Sequence, residues 1–147
     1  MARWAAGERP RVKLPRTTWV KATHPDASRS SFRAFLHHVM TYAGTLSLSR
    51  DLPTQSLAKL APGDLLVQGG SPGHAVVILD LATHPDGRRL VLLGQSYMPA
   101  QEFHVLKNLS DRDYSPWFEI ADLGKGGLAT PDWAPFFDTD LRRGDAP

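Results

Sequence analysis

The sequence predicts an α+β domain, with one main helix over about residues 31–46 packed on a small antiparallel sheet. Three observations carry that reading. Phe32, Phe35, Leu36, Val39, Met40, Ala43 and Leu46 step by three and four, which draws a single apolar stripe along a helix. His74-Ala75-Val76-Val77-Ile78-Leu79-Asp80-Leu81 is β-branched and too apolar to face water on either side, so it belongs at the centre of a sheet. His84-Pro85-Asp86-Gly87 is a turn signal, and the apolar pattern resumes from Arg88 to Leu93 as an antiparallel partner.

The other elements follow in chain order. Residues 1–29 hold Pro10, Pro15 and Pro25 without a sustained period and read as an irregular segment, apart from a short strand around Thr17 to Lys21. Ser30 or Ser31 is placed to cap the main helix, and Gly44 falls near its end, where the backbone can turn. Ser47 to Lys59 is polar, contains Pro53 and is expected to include a short helical turn; Pro62-Gly63 then turns the chain into a short strand, Asp64 to Gln68. Gln101 to Leu106 alternates well enough for a further strand. From Asn108 the chain is loop-rich, with Trp117, Phe118, Trp133, Phe136 and Phe137 as aromatic anchors into the core; a sugar- or peptide-binding groove is the less favoured role for them. The expected organisation is thus an irregular stretch 1–29, a single domain 30–140 and a disordered tail 141–147.

Composition narrows the function classes. At 147 residues, 41% hydrophobic and 22% charged, the chain has the makings of one globular core, and twelve prolines with twelve glycines exclude long bundles and coiled coils. Seventeen basic against fifteen acidic residues, with no dense basic run, give no reason to expect nucleic acid. No stretch approaches the roughly 20 apolar residues that a membrane-spanning helix requires. Met1 to Lys13 carries charges with no apolar run behind them, which is not the pattern of a secretory leader. The absence of cysteine excludes disulfides, thiolate metal sites and a thiol nucleophile.

The segment that suggests chemistry is Pro62 to Ile78. A glycine-rich turn, Gly69-Gly70-Ser71-Pro72-Gly73, delivers His74 to the first position of a buried strand, where the backbone is rigid and the ring can face a cleft, as a general base requires. A phosphate loop is a poor alternative, because the turn opens a strand rather than a helix and lacks the lysine. Within the hairpin, Gly94-Gln95-Ser96-Tyr97 lies near the start of its partner strand, so Gln95 or Ser96 could accept the imidazole N–H and hold the tautomer that a base needs. A hydrogen bond from His74 to loop backbone is an equally good reading of the residues alone.

Three blocks carry a resemblance: Thr41-Tyr42-Ala43-Gly44-Thr45-Leu46-Ser47-Leu48, then Gln68-Gly69-Gly70-Ser71-Pro72-Gly73-His74-Ala75, then Gln95-Ser96-Tyr97-Met98-Pro99-Ala100-Gln101-Glu102 with Leu106-Lys107-Asn108. Over roughly residues 30–140 the chain resembles the bacterial family catalogued as domain of unknown function 4846. That pattern is in turn similar to the NlpC-type and CHAP-type papain-like cysteine hydrolases, many of which cut peptide or amide bonds in cell walls. The resemblance implies a papain-like half-barrel with His74 as base, Gln95 as its orienting residue, and Gly70, Gly73 and Tyr97 lining the binding site. It also implies a peptide or peptidoglycan-type ligand, no cofactor, and a cell-envelope or secreted location. In the family a cysteine-bearing helix lies upstream of the region matching the first residues here. Two explanations of the missing nucleophile stay open: an N-terminally truncated gene model, or a variant that has lost the chemistry and serves as a binding or structural module. Truncation would leave apolar sheet surface exposed and favour self-association. A third reading, a small β-rich ligand-binding protein, places the cavity elsewhere and packs His74 against backbone.

Other constellations are weaker. Ser28, Ser30 and Ser31 are poor substitutes for a thiol, since a helix-capping serine already has a role. His37 and His38, adjacent on a helix, point about 100 degrees apart and cannot share a metal. His74, His84 and His104 lack a carboxylate spaced to complete a metal site, and His84 lies at the far end of the hairpin from His74. Asp64 is expected to receive a backbone N–H in its turn.

Overall fold

The computed structural model describes residues 1–13, 16–98 and 101–144, and the chain forms two compact units that divide between Gly44 and Thr45. It is a mixed α+β protein, with mostly antiparallel strands and few helices.

In the first unit, α1 (Ala2–Ala5) leads into a hairpin of β1 (Glu8–Lys13) and β2 (Arg16–Lys21), with Glu8 opposite Lys21 and Pro10 opposite Trp19. The expectation of an irregular segment over 1–29 is corrected here. In a two-stranded ribbon each strand keeps one unpaired edge, so Pro10 fits without removing a ladder hydrogen bond. Leu14 and Pro15, which the same expectation covered, lie outside the described residues.

The main helix, α2, spans Arg29–Tyr42. Its cap is Ser28, whose Oγ accepts the Ser31 N–H at 3.2 Å, rather than Ser30 or Ser31. Ser31 is inside the helix and buried, its Oγ accepting from Trp4 Nε1 at 3.2 Å. Trp4 also meets Phe35 edge-on, with centroids 5.7 Å apart, and lies 5.6 Å from the His38 ring, which lies 4.6 Å from Tyr42. The face that α2 uses within its unit is therefore Ser31, Phe35, His38 and Tyr42, at helical spacing. Most of the predicted stripe, Phe32, Leu36, Val39 and Met40, is exposed.

The helix also ends earlier than the predicted 31–46. A second helix, α3 (Thr45–Asp51), begins the second unit, and Gly44, a poor helix former, stands at the break. Near the end of α2 the Thr41 hydroxyl donates to the His37 carbonyl at 2.8 Å, a side-chain bond that competes with regular helix geometry.

The second unit is built on six strands: β3 (Leu65–Gln68), β4 (His74–Thr83), β5 (Arg89–Tyr97), β6 (Gln101–Val105), β7 (Trp117–Glu119) and β8 (Leu141–Arg142). The order is β6-β5-β4-β3-β8, every pairing antiparallel, with β7 and β6 meeting β5 at successive positions, Leu90 to Leu92 and Gly94 to Tyr97. β4 occupies the centre, as its composition requires. Its residues alternate between buried His74, Val76 and Ile78 and half-buried Ala75, Val77 and Leu79. A register shift between Ile78 and Asp80 brings Leu81 opposite Val91 and keeps it against the core.

Val76, Ile78, Val91, Leu93 and Phe118 from the sheet, with Leu106, Leu123, Leu128 and Phe136 from the segments between and beyond its strands, make one buried cluster. Within this unit the helix packed beside the sheet is the short α3, next to β3.

The disordered tail expected from residue 141 is also corrected, as far as Gly144. Leu141 is fully buried and pairs with Leu66, and the Arg143 guanidinium donates to both Asp64 carboxylate oxygens at 2.6 and 2.7 Å. Asp64 is 1% exposed and accepts the Ala61 N–H at 2.9 Å as well, so the end of the chain supplies the countercharge of a buried carboxylate. Residues 145–147 lie outside the described residues.

Candidate functional site

The site lies where the first residue of β4 meets the last part of β5. The Gly69 to Gly73 turn feeds into β4 at close quarters: a Cβ on Gly73 would strike the Thr45 hydroxyl and come within 2.7 Å of the Gly70 nitrogen, and one on Gly70 would lie 2.6 Å from the Pro72 carbonyl. The turn thus needs glycine at Gly70 and Gly73, and their lack of side chains lets the chain enter β4 with His74 on the same face as Val76 and Ile78.

Val77 pairs with Gly94, so Gln95 falls on the face shared by Val76 and lies diagonal to His74, within reach of a long side chain. His74 Nε2 and Gln95 Oε1 are 2.7 Å apart. An amide oxygen only accepts, so Nε2 carries the proton and donates, and in the neutral ring Nδ1 then keeps its lone pair. His74 is 8% and Gln95 2% exposed. Among the described residues Nδ1 has no hydrogen-bond partner, yet the one fully buried side-chain N or O atom without a partner is Thr130 Oγ1. Nδ1 is therefore the nitrogen open to its surroundings.

Aromatic rings enclose the imidazole. Tyr97 meets it edge-on at 5.1 Å, Trp133 lies at 5.1 Å and Phe136 at 6.2 Å. Polar contacts hold these rings in place. Tyr97 OH donates to the Asp132 carbonyl at 2.8 Å, and Trp133 Nε1 to Gln68 Oε1 at 2.8 Å. Gln68 Nε2 donates in turn to the Pro135 carbonyl at 2.8 Å and to Asp140 Oδ2 at 2.9 Å. The segment from Asp132 to Asp140 is thereby stitched across the start of β4.

On the other side of Gln95 a cleft of ≈ 380 Å³ is lined by Gln95, His104, Lys107, Leu109, Pro131 and Asp132 among others. His104 sits opposite Gln95 in the β5–β6 pairing, and its Nδ1 lies 2.7 Å from the Glu102 carbonyl.

Of the residues named from sequence, the structure brings together His74, Gln95 and Tyr97. Ser96 is corrected: adjacent residues of a strand point to opposite faces, and Ser96 is exposed on the face away from Gln95. Gly70 and Gly73 shape the turn. Ser28 caps α2 and Ser31 is bonded to Trp4, so both have structural roles. His84 is in the distant turn, where it meets Asp86 at 2.9 Å.

Gln68 was missed as a site residue, although its position opposite His74 in the β3–β4 ladder follows from the same alternation that placed the two strands. Trp133 and Phe136 were expected as core anchors. Phe136 is one, at 0% exposed. Both also form the wall around His74, a contact made across some sixty residues of chain that no local pattern encodes.

Comparison with curated proteins and with solved structures finds no match to the chain. A family model does match, described as Domain of unknown function (4846) and aligned to residues 1–143, nearly the whole sequence, and the chain therefore belongs to that family.

Proposed function

We propose that His74 and Gln95 are the base and the orienting residue of a papain-like, NlpC-type hydrolase site for peptide or amide bonds of the cell-wall kind, and that the 147-residue chain, having no cysteine, binds such a substrate without cleaving it. The observation that carries the reading is the 2.7 Å contact between His74 Nε2 and Gln95 Oε1. It holds the imidazole in the tautomer that leaves Nδ1 able to take a proton from a nucleophile. The turn geometry supports the same reading, because it presents the ring from a rigid strand end rather than from a loop.

The test is spectroscopic and kinetic together. Imidazole nitrogen shifts of His74 in the labelled chain are expected to show the Nε2–H tautomer, and Gln95→Leu is expected to mix the two tautomers. Titration with a peptidoglycan-type stem peptide is expected to perturb His74, Tyr97 and Trp133 with no turnover. An Nδ1–H tautomer, or perturbations confined to residues far from β4, would overturn the proposal, and hydrolysis by this cysteine-free chain would overturn its account of the nucleophile.

A second reading, a non-catalytic binding module, is favoured by the three rings around a histidine only 8% exposed. The same titration separates the two: binding that survives Gln95→Leu with unchanged affinity favours the module. Phe103 and Val105 on β6, 60% and 47% exposed, offer an apolar surface through which the chain would self-associate. Sedimentation showing a monomer at all concentrations would sink that part.

A further inference from the structure

The cleft beyond Gln95 has a donor set of its own. Gln95 spends its oxygen on His74, which leaves both amide hydrogens on Nε2 for another partner. Among the described residues that nitrogen makes no hydrogen bond, and it is not sealed in, since Thr130 Oγ1 is the fully buried atom without a partner. Gln95 also lines the cleft, so the opening for Nε2 is the cleft itself. A side chain that is 2% exposed and keeps a free donor beside a cavity is placed to give that donor to a ligand.

Two further features of the lining narrow the acceptor. Lys107 brings a cation with no ion pair among the described residues, while Asp132, held by its backbone to Tyr97, brings an acceptor with none either. Leu109, Val105 and Pro131 supply an apolar wall. Donor and cation beside an acceptor and an apolar wall match the end of a peptide: a carboxylate for Gln95 and Lys107, a preceding amide N–H for Asp132, and an aliphatic side chain for the wall.

We propose that this cleft is a subsite for the C-terminal carboxylate of a short peptide, seated on the Gln95 amide from the side opposite His74. It shares Gln95 with the proposed function and extends it to a substrate class. Binding there needs no bond cleavage, so the two stand or fall on different measurements.

The experiment follows side-chain amide and backbone signals of the labelled chain during titration with N-acetylvalylvaline as the free acid, with its C-terminal amide, and with acetate. The free acid is expected to shift the Gln95 side-chain amide and the Lys107 and Leu109 backbone signals, and to bind about tenfold tighter than the neutral amide, the discrimination of one charge-assisted hydrogen-bonded pair. Acetate is expected to bind more weakly than the acid; equal binding would mean that any carboxylate suffices and would overturn the peptide assignment. Gln95→Glu keeps an acceptor for His74 and removes the donor to the ligand, so the acid's affinity should fall about tenfold. Lys107→Met, at an exposed position, should weaken the acid about threefold at low salt and leave the amide unchanged. Equal affinity for acid and amide in the parent chain, an unaltered acid affinity in Lys107→Met, or shifts that map away from the cleft would each overturn the site. Loss of the tautomer preference at His74 with this discrimination intact would instead count against the proposed function alone.

Discussion

β4 begins and ends near a histidine, and the two ends show what environment makes of one residue type. His74 is 8% exposed, shares a 2.7 Å hydrogen bond with Gln95 on the neighbouring strand, and is enclosed by Tyr97, Trp133 and Phe136. His84 stands one residue past the other end, in a turn where its ring meets the Asp86 carboxylate at 2.9 Å and Tyr114 edge-on at 5.2 Å, with its side chain 37% exposed. Every partner of His74 comes from a distant part of the chain. The polar partner of His84 is two residues away. One ring is fixed by the tertiary fold and presents a single free nitrogen; the other completes a local turn that would form without it.

The comparison breaks most visibly at its buried end. Replacing His74 by alanine removes a ring in contact with three aromatic side chains and leaves the Gln95 oxygen without a partner, for an expected loss of about 2–4 kcal/mol of stability. Denaturant unfolding measures it, and a loss below about 1 kcal/mol would mean that the aromatic segment closes without the imidazole. Gln95→Leu comes next. It keeps volume near the ring but strands the buried Nε2–H, an expected cost of about 1–3 kcal/mol by the same measurement. A neutral result would show that His74 finds another acceptor. His84→Ala, by contrast, is expected to change stability by no more than about 0.5 kcal/mol, as at ordinary exposed positions. A larger effect would make the turn, and not only the sheet, a determinant of β4–β5 pairing.

How much of this was legible in the sequence also divides along the strand. The β4–β5 hairpin is encoded locally, by an apolar run, a His-Pro-Asp-Gly turn and a second apolar run, so the approach of Gln95 to His74 could be read from spacing. The same alternation rule excludes Ser96, and following it one strand further places Gln68 beside His74. What spacing could not give is the arrival of Trp133 and Phe136, because nothing in residues 130–137 says which face of which strand they will cover. The first unit misled for a different reason. Proline and charge made residues 8–13 look like coil, whereas a two-stranded ribbon accepts both. The apolar stripe of α2 was read as one face packed on a sheet, yet within its unit the helix seats Ser31, Phe35 and His38 on Trp4, and a partner as small as Trp4 cannot cover the whole stripe.

The smallest effect expected is the response of the His84 end to acid. At the His84 end the Arg88 backbone N–H, reaching Asp86 Oδ1 at 3.0 Å, is the main cause holding the Asp86 carboxyl down to about 2, with His84 and the Arg88 guanidinium adding to it. A carboxyl whose pKa is lower folded than unfolded binds fewer protons in the native state, so its stabilising contribution is complete above the unfolded value of about 4. That contribution declines as the pH falls below about 4 and is gone once the pH has passed through about 2. Asp86 is exposed, and screening by solvent keeps the effect small. Melting curves of the parent chain and Asp86→Asn should therefore differ slightly at pH 6 and converge between pH 4 and pH 2. A difference that persists unchanged at pH 2 would mean that Asp86 acts through turn geometry, which asparagine also supports, and not through its charge. Convergence would show that the far end of β4 is tied by a local ionic turn that acid can loosen.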